Sequence, residues 1–245
     1  MAELASDGSK SNEASISDAF GWACRDPKWI NKLVLMGLIG LIPIVGPLQQ
    51  AGWMLAALDN LRAGHREVPA PAFRYASRGG SLFLAGLIYG GVIFVVVYGG
   101  ILFIAFGLAP TTSSQTGQSD GSSSQVSLLF FPAMLGWMGV VGLISVAAFL
   151  LVPLIIEFTE RSGFGGAFNF PGFIRAARGN PTETLAAGGL ALVCYFISGV
   201  GAYLCYVGVL FTVPYSLTVL AGVLFWYETK VRLGGLPARR SPPPS

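Results

Sequence analysis

Few side chains in this chain could do chemistry, and their spacing does not favour it. The single histidine, His65, stands between Arg62 and Arg66 in a polar stretch. That placement reads as a solvated loop position and excludes a histidine metal cluster. The acids Asp59, Glu157, Glu160, Glu183 and Glu228 fall at the ends of apolar runs and not within them. A proton- or sodium-coupled pump usually needs a carboxylate at mid-depth. Cys24, Cys194 and Cys205 show neither metal spacing nor a disulfide framework. No nucleophile has a base at a telling distance. The residues therefore predict no catalytic, cofactor-binding or metal site, and a protein that is not an enzyme.

One polar element stands out within apolar sequence. Pro43, Gly46 and Pro47 interrupt a hydrophobic run just ahead of Gln49 and Gln50. Prolines inside a helix remove backbone donors, and the loosened backbone with two amides beside it could coordinate an uncharged substrate. The alternative is that the glutamines satisfy the carbonyls the prolines free.

The surrounding elements follow from the charges. All fifteen Lys and Arg residues fall in four zones, Lys10 to Lys32, Arg62 to Arg78, Arg161 to Arg178 and Lys230 to Arg240. The chain is 53% hydrophobic and 11% charged, against about 25% charged in soluble domains. Charges are costly in hydrocarbon, and basic loops stay on the cytoplasmic side. The net charge of +3 offers no basic soluble face for nucleic acid. The reading is an all-α integral protein of the plasma (inner) membrane, multi-pass, with both termini cytoplasmic.

Threading places a disordered tail at 1–17, a helical membrane domain at 18–232 and a Pro-rich tail at 233–245. Within the domain we expect a Pro-broken hairpin over 29–62 and a span over 81–109. An external Ser-rich loop (110–127), a span (128–156) and a cytoplasmic segment (157–182) follow, then two spans within 183–228. The last two spans should turn near Ser198-Gly199-Val200-Gly201. Both flanks of 29–62 are basic, so a single crossing would strand one group outside. A short or re-entrant pair of helices avoids this.

A threefold repeat of the form F-x-x-A-x-R supports that count. It occurs as Phe20, Ala23 and Arg25, as Phe73, Ala76 and Arg78, and as Phe173, Ala176 and Arg178. If each copy is a short helix at the interface with its arginine at the headgroups, three helical hairpins follow, about six membrane helices in all. Glycines at packing intervals, Gly37 and Gly40, Gly86 and Gly90, and Gly136, Gly139 and Gly142, predict close helix contacts. They serve either one subunit or an oligomer seam. Trp22, Trp29, Trp53 and Trp226 read as interfacial anchors.

Asp26-Pro27-Lys28-Trp29, the Pro- and Gly-broken run, Gly52-Trp53, Leu61-Arg62, Gly64 and Val68-Pro69 together resemble the prokaryotic membrane family known as domain of unknown function 4013. The chain departs from that pattern in carrying Pro69-Ala70-Pro71-Ala72. The resemblance implies a helical membrane bundle and supplies no catalytic residues. The partners expected are the lipid bilayer and other membrane subunits or a second copy. The function expected is a non-enzymatic scaffold or accessory subunit, the alternative being a permease for an uncharged or lipid-like substrate.

Overall fold

The computed structural model describes residues 16–107, 122–203 and 207–233. Every regular element there is helical, with no strand among the described residues. A short α1 (Ile16–Gly21) and a 3-10 turn (Ala23–Arg25) lead into α2 (Trp29–Gly40) and α3 (Val45–Arg62). A second 3-10 turn (Phe73–Tyr75) opens α4 (Ala76–Gly107), which is followed by α5 (Ser122–Ser162). A third turn (Phe164–Phe168), α6 (Phe170–Gly179), α7 (Pro181–Tyr203) and α8 (Val209–Leu233) complete the order. Four stretches are long and apolar enough to cross a membrane: Phe73–Ile104, Phe131–Ser162, Pro181–Gly201 and Val209–Val231. The tails expected at 1–17 and 233–245 lie almost wholly outside the described residues, as do 108–121 of the expected external loop. Ser122 already belongs to α5, so that helix starts ahead of position 128.

The proline break folds as two helices lying back to back. Gln50 reaches Met36, and Gly46 approaches the backbone of Ile39 and Gly40, so α3 returns alongside α2. Only Pro43 is in the turn itself. Pro47 occupies the first turn of α3, where its missing N–H would have no helical partner anyway. Ile44 carries φ 67° and ψ −55°, and the Val45 N–H closes a γ-turn on the Pro43 carbonyl at 2.7 Å. That conformation is strained for a β-branched residue. α3 ends on Gly64 at φ 81°, with the His65 N–H reaching back to the Asn60 carbonyl at 2.8 Å. This left-handed cap favours glycine.

The chain divides into two compact units. In the first, Met1–Leu84 with Leu150–Ser245, α8 packs on α1, α2, α3 and α7. It separates two cores. Ala221 and Leu224 join Trp53, Leu58 and Met36 on one side. Val219, Val223 and Tyr227 join Leu154, Phe173 and Ala187 on the other. Pro214 lies within α8 and leaves the Leu210 carbonyl without its usual helical donor. Gly37 of α2 sits directly on that carbonyl, so close that a Cβ would overlap it. The turn after α7 falls beyond Tyr203 and not at Ser198–Gly201. Gly201 stays helical because its bare Cα lets Thr212 and the backbone of Gly208 approach.

The second unit, Ala85–Phe149, comprises parts of α4 and α5. Its side chains are largely exposed, Phe103 at 78% and Leu143 at 76% among them, as lipid-facing helices require. Gly100 receives the Trp137 ring. Gly86, Gly90, Gly136, Gly139 and Gly142 meet no described atom of the chain within 4 Å. Among the described residues, no close contact at these five positions matches the packing expected of them. Close contacts are made by Gly37 on the α8 backbone at Leu210, by Gly40 on the Gln50 side chain, and by Gly46, Gly52 and Gly79 where backbone meets backbone among α2, α3 and the start of α4.

These two sets of glycines should respond differently to a methyl group. Gly37→Ala must displace the α8 backbone and lose about 1–3 kcal/mol, seen as a lower unfolding temperature in detergent. Gly86→Ala should leave that temperature unchanged in the monomer.

Candidate functional site

The polar centre of the first unit is an ionic cluster where α3, α4, α5 and α8 meet. Arg62 closes α3. Its Nη1 and Nη2 grip the two oxygens of Glu160 at 2.8 Å each. Its Nε donates to Glu228 at 3.0 Å, and Nη2 also reaches the second Glu228 oxygen. Nη1 completes the set with Asp59 at 3.1 Å. A guanidinium has five N–H donors, and five carboxylate contacts surround this one. The Arg62, Glu160 and Glu228 side chains are only 15%, 7% and 6% exposed. Burial alone would lower the Arg62 pKa. The hydrogen bonds and charges of Glu160 and Glu228 outweigh it and raise the value above the ordinary arginine range. Arg62 therefore stays charged at any accessible pH.

Arg78 extends the cluster from α4, bonding Asp59 and donating to Glu160 at 3.1 Å. Glu157 pairs with Arg161 one turn along α5. Next to Arg78 and Glu160 lies a cleft of about 270 Å³, with Ser81 and Thr159 on its polar side and Leu82 and Ile156 on its apolar side. The Thr159 hydroxyl is turned back onto the Ile155 carbonyl at 2.6 Å, and Glu160 is held by two arginines. Such groups can hydrogen-bond a solute. They do not form an activated nucleophile and base.

A second lock ties the N-terminal segment in. Asp26 accepts from the Lys28 N–H at 2.9 Å, from Lys32 Nζ at 2.7 Å and from the Val68 N–H at 3.1 Å, while Lys32 also donates to the Val68 carbonyl at 2.6 Å. Burial would raise the Asp26 pKa, but the Lys32 and backbone hydrogen bonds hold it below the usual carboxylate value. The second lock joins the first basic zone to the second through Lys32 and Val68, and the first lock sets Arg62 and Arg78 of the second zone against Glu160 and Glu228, which lie beside Arg161 and Lys230 in the sequence.

The residues of the proline break are committed to the protein itself. Gln49 is 2% exposed. Its amide donates to the Phe73 carbonyl and accepts from the Tyr75 N–H at 3.1 Å, stapling α3 to the start of α4. Gln50 donates to the Met36 carbonyl at 3.5 Å. Neither amide is bonded to a carbonyl freed by Pro43 or Pro47. They act across helices.

The three repeat copies do not share one structure. Phe173 is buried beneath α6, whereas Phe73 is 60% exposed and Phe20 half-buried. Arg25 pairs with Asp18 at 2.5 Å and Arg78 with Asp59 and Glu160, so carboxylates take both away from headgroups. Arg178 lies exposed on α6. Ala23 is buried in a 3-10 turn, Ala76 opens α4 and Ala176 is half-buried in α6. Trp22, Trp53 and Trp226 are buried, not belted at an interface. The indoles of the first two donate to the Thr218 and Pro69 carbonyls at 2.9 Å each. His65 is exposed, and no cluster of metal-ligating side chains occurs among the described residues. Cys205 lies outside those residues.

Sequence reasoning missed the ionic cluster because it read each arginine as a topological marker. The available signal was the acid beside a base at two helix ends: Asp59 with Arg62, and Glu157 and Glu160 with Arg161.

An all-helical chain with four membrane-length apolar helices is a membrane-embedded protein. Residues 35–207 match the family described as protein of unknown function (DUF4013), and the chain belongs to it. The match includes Asp59, Arg62, Arg78 and Glu160, and leaves Asp26 and Glu228 outside. No curated protein and no solved structure matches the chain.

The staple assigns Gln49 a structural role that can be separated from ligand binding. Gln49→Leu leaves the buried Phe73 and Tyr75 backbone groups without partners and should cost about 1–3 kcal/mol of stability. Gln50→Leu, which loses one long contact, should cost clearly less in the same detergent melt.

Proposed function

We propose that this chain is a non-enzymatic scaffold or accessory subunit of a prokaryotic plasma-membrane complex. The supporting observation is where its buried polar groups go. Arg62, Gln49 and Asp26 all end on partners within the protein, so the polar interior holds helices together. A Cβ at Gly86, Gly90 or Gly139 would meet no described atom within 4 Å outside its own helix, and open glycine positions suit close helix packing in lipid. Both termini belong in the cytoplasm on this reading, because basic segments resist translocation and Arg62 of the second zone meets Glu160 and Glu228, which lie beside the third and fourth in the sequence. The α2–α3 pair then enters and leaves on that side. α3, with 18 residues, is about 27 Å long, enough to reach through most of a roughly 30 Å core.

The cleft beside Ser81 favours a second reading, a permease for an uncharged or lipid-like substrate. One preparation separates the two. Protein purified in mild detergent should run at a mass above 25.8 kDa plus its micelle, through a second copy or a co-purifying membrane protein. A strictly monomeric species that carries solute flux in vesicles would overturn the scaffold in favour of the permease.

A further inference from the structure

We propose that α6 is a binding surface for anionic phospholipid, with Arg175 and Arg178 taking headgroup phosphates and Phe170 and Ile174 entering the acyl layer. The helix joins the end of one membrane-length stretch, Phe131–Ser162, to the start of the next, Pro181–Gly201. A ten-residue helix in that link must lie at the membrane surface. Asn169 starts it by accepting the Gly172 N–H at 3.1 Å, and Pro171 lies in its first turn.

At 100° per residue, its side chains fall in a graded order. Phe173 points inward, 1% exposed, with its ring edge-on to Phe158 at 5.2 Å. The next sector carries Phe170 and Ile174, large apolar groups 50% and 53% exposed. Beyond them come Arg178 and then Arg175, both exposed. Protein, acyl chain and headgroup thus follow one another around one helix.

Charge decides the lipid. No acidic residue occurs between Arg161 and Glu183. Neither Arg175 nor Arg178 makes an ion pair among the described residues, whereas Arg25, Arg62, Arg78 and Arg161 are all paired to carboxylates. Two uncompensated guanidinium groups beside an apolar sector are complementary to a phosphate-bearing anionic surface and indifferent to a neutral one. The inference requires only that the chain is membrane-embedded, and it stands whether or not a protein partner exists.

The test uses the full chain in detergent, with lipid binding read by native mass spectrometry against dioleoylphosphatidylglycerol and dioleoylphosphatidylcholine. Wild type should prefer the glycerol lipid. Each of Arg175→Gln and Arg178→Gln should lose about fivefold of that preference and the double variant about 25-fold, from roughly 1 kcal/mol per basic residue. Arg175→Lys with Arg178→Lys should keep most of it, and Arg25→Gln should change nothing. Either single variant keeps Phe173 and the helix start, so the test survives if the double variant fails to fold. Equal binding of the two lipids by wild type, or an unchanged preference in the glutamine variants, would overturn the proposal. So would displacement of the lipid by free glycerol phosphate at millimolar concentration, which would mark a plain anion site.

Discussion

Everything in the first unit hangs on a guanidinium taken out of water. Arg62 could not be buried among membrane helices unless its charge and all five N–H groups were met, and Glu160, Glu228 and Asp59 meet them. Because those acids belong to α5, α8 and α3 itself, satisfying one side chain fixes the ends of three helices relative to one another. Removing one partner would leave a buried charge uncompensated, which typically costs about 3–5 kcal/mol. The cluster acts less as a source of net stability than as a constraint on which arrangement of the helices is allowed.

That constraint also accounts for the threading. Asp26 and Lys32 hold the segment before α2 to Val68 after α3, so the chain returns to its starting side between them. Arg62 and Arg78 meet Glu160 at the end of α5, and Arg62 meets Glu228 near the end of α8. Each meeting requires an even number of passes between the residues concerned. The hydrophobic terms then fill the space between. α8 lies in the middle because it is apolar on two sides, and small residues such as Gly37, Ala221 and Gly222 let α1, α2 and α3 come close to it.

The fold class was legible because charge and hydropathy speak plainly in a membrane chain. Long runs such as 81–109 have no other stable home, and the Pro43 break was visible as composition. What could not be read were relations across the fold. Gln49 looked like a ligand group because nothing in one dimension reveals that Phe73 and Tyr75 lie beside it. The glycine intervals of Gly86 and Gly136 matched a packing pattern, yet spacing alone does not say whether a second helix comes close at those positions, and among the described residues none does. Arginine in the repeat was ambiguous for the same reason. A headgroup and a carboxylate attract it equally, and the third copy differs from the others only because no acid lies within reach.

The coupling between Arg62 and Glu228 is the most direct measure of this account. Unfolding of Arg62→Gln, Glu228→Gln and the double variant in one detergent gives it as a double-mutant cycle. The account predicts that either single change costs about 3 kcal/mol and that the double change costs little more than one of them, a coupling of about 2 kcal/mol or greater. Losses that simply add would contradict it, since the two side chains would then be holding nothing together.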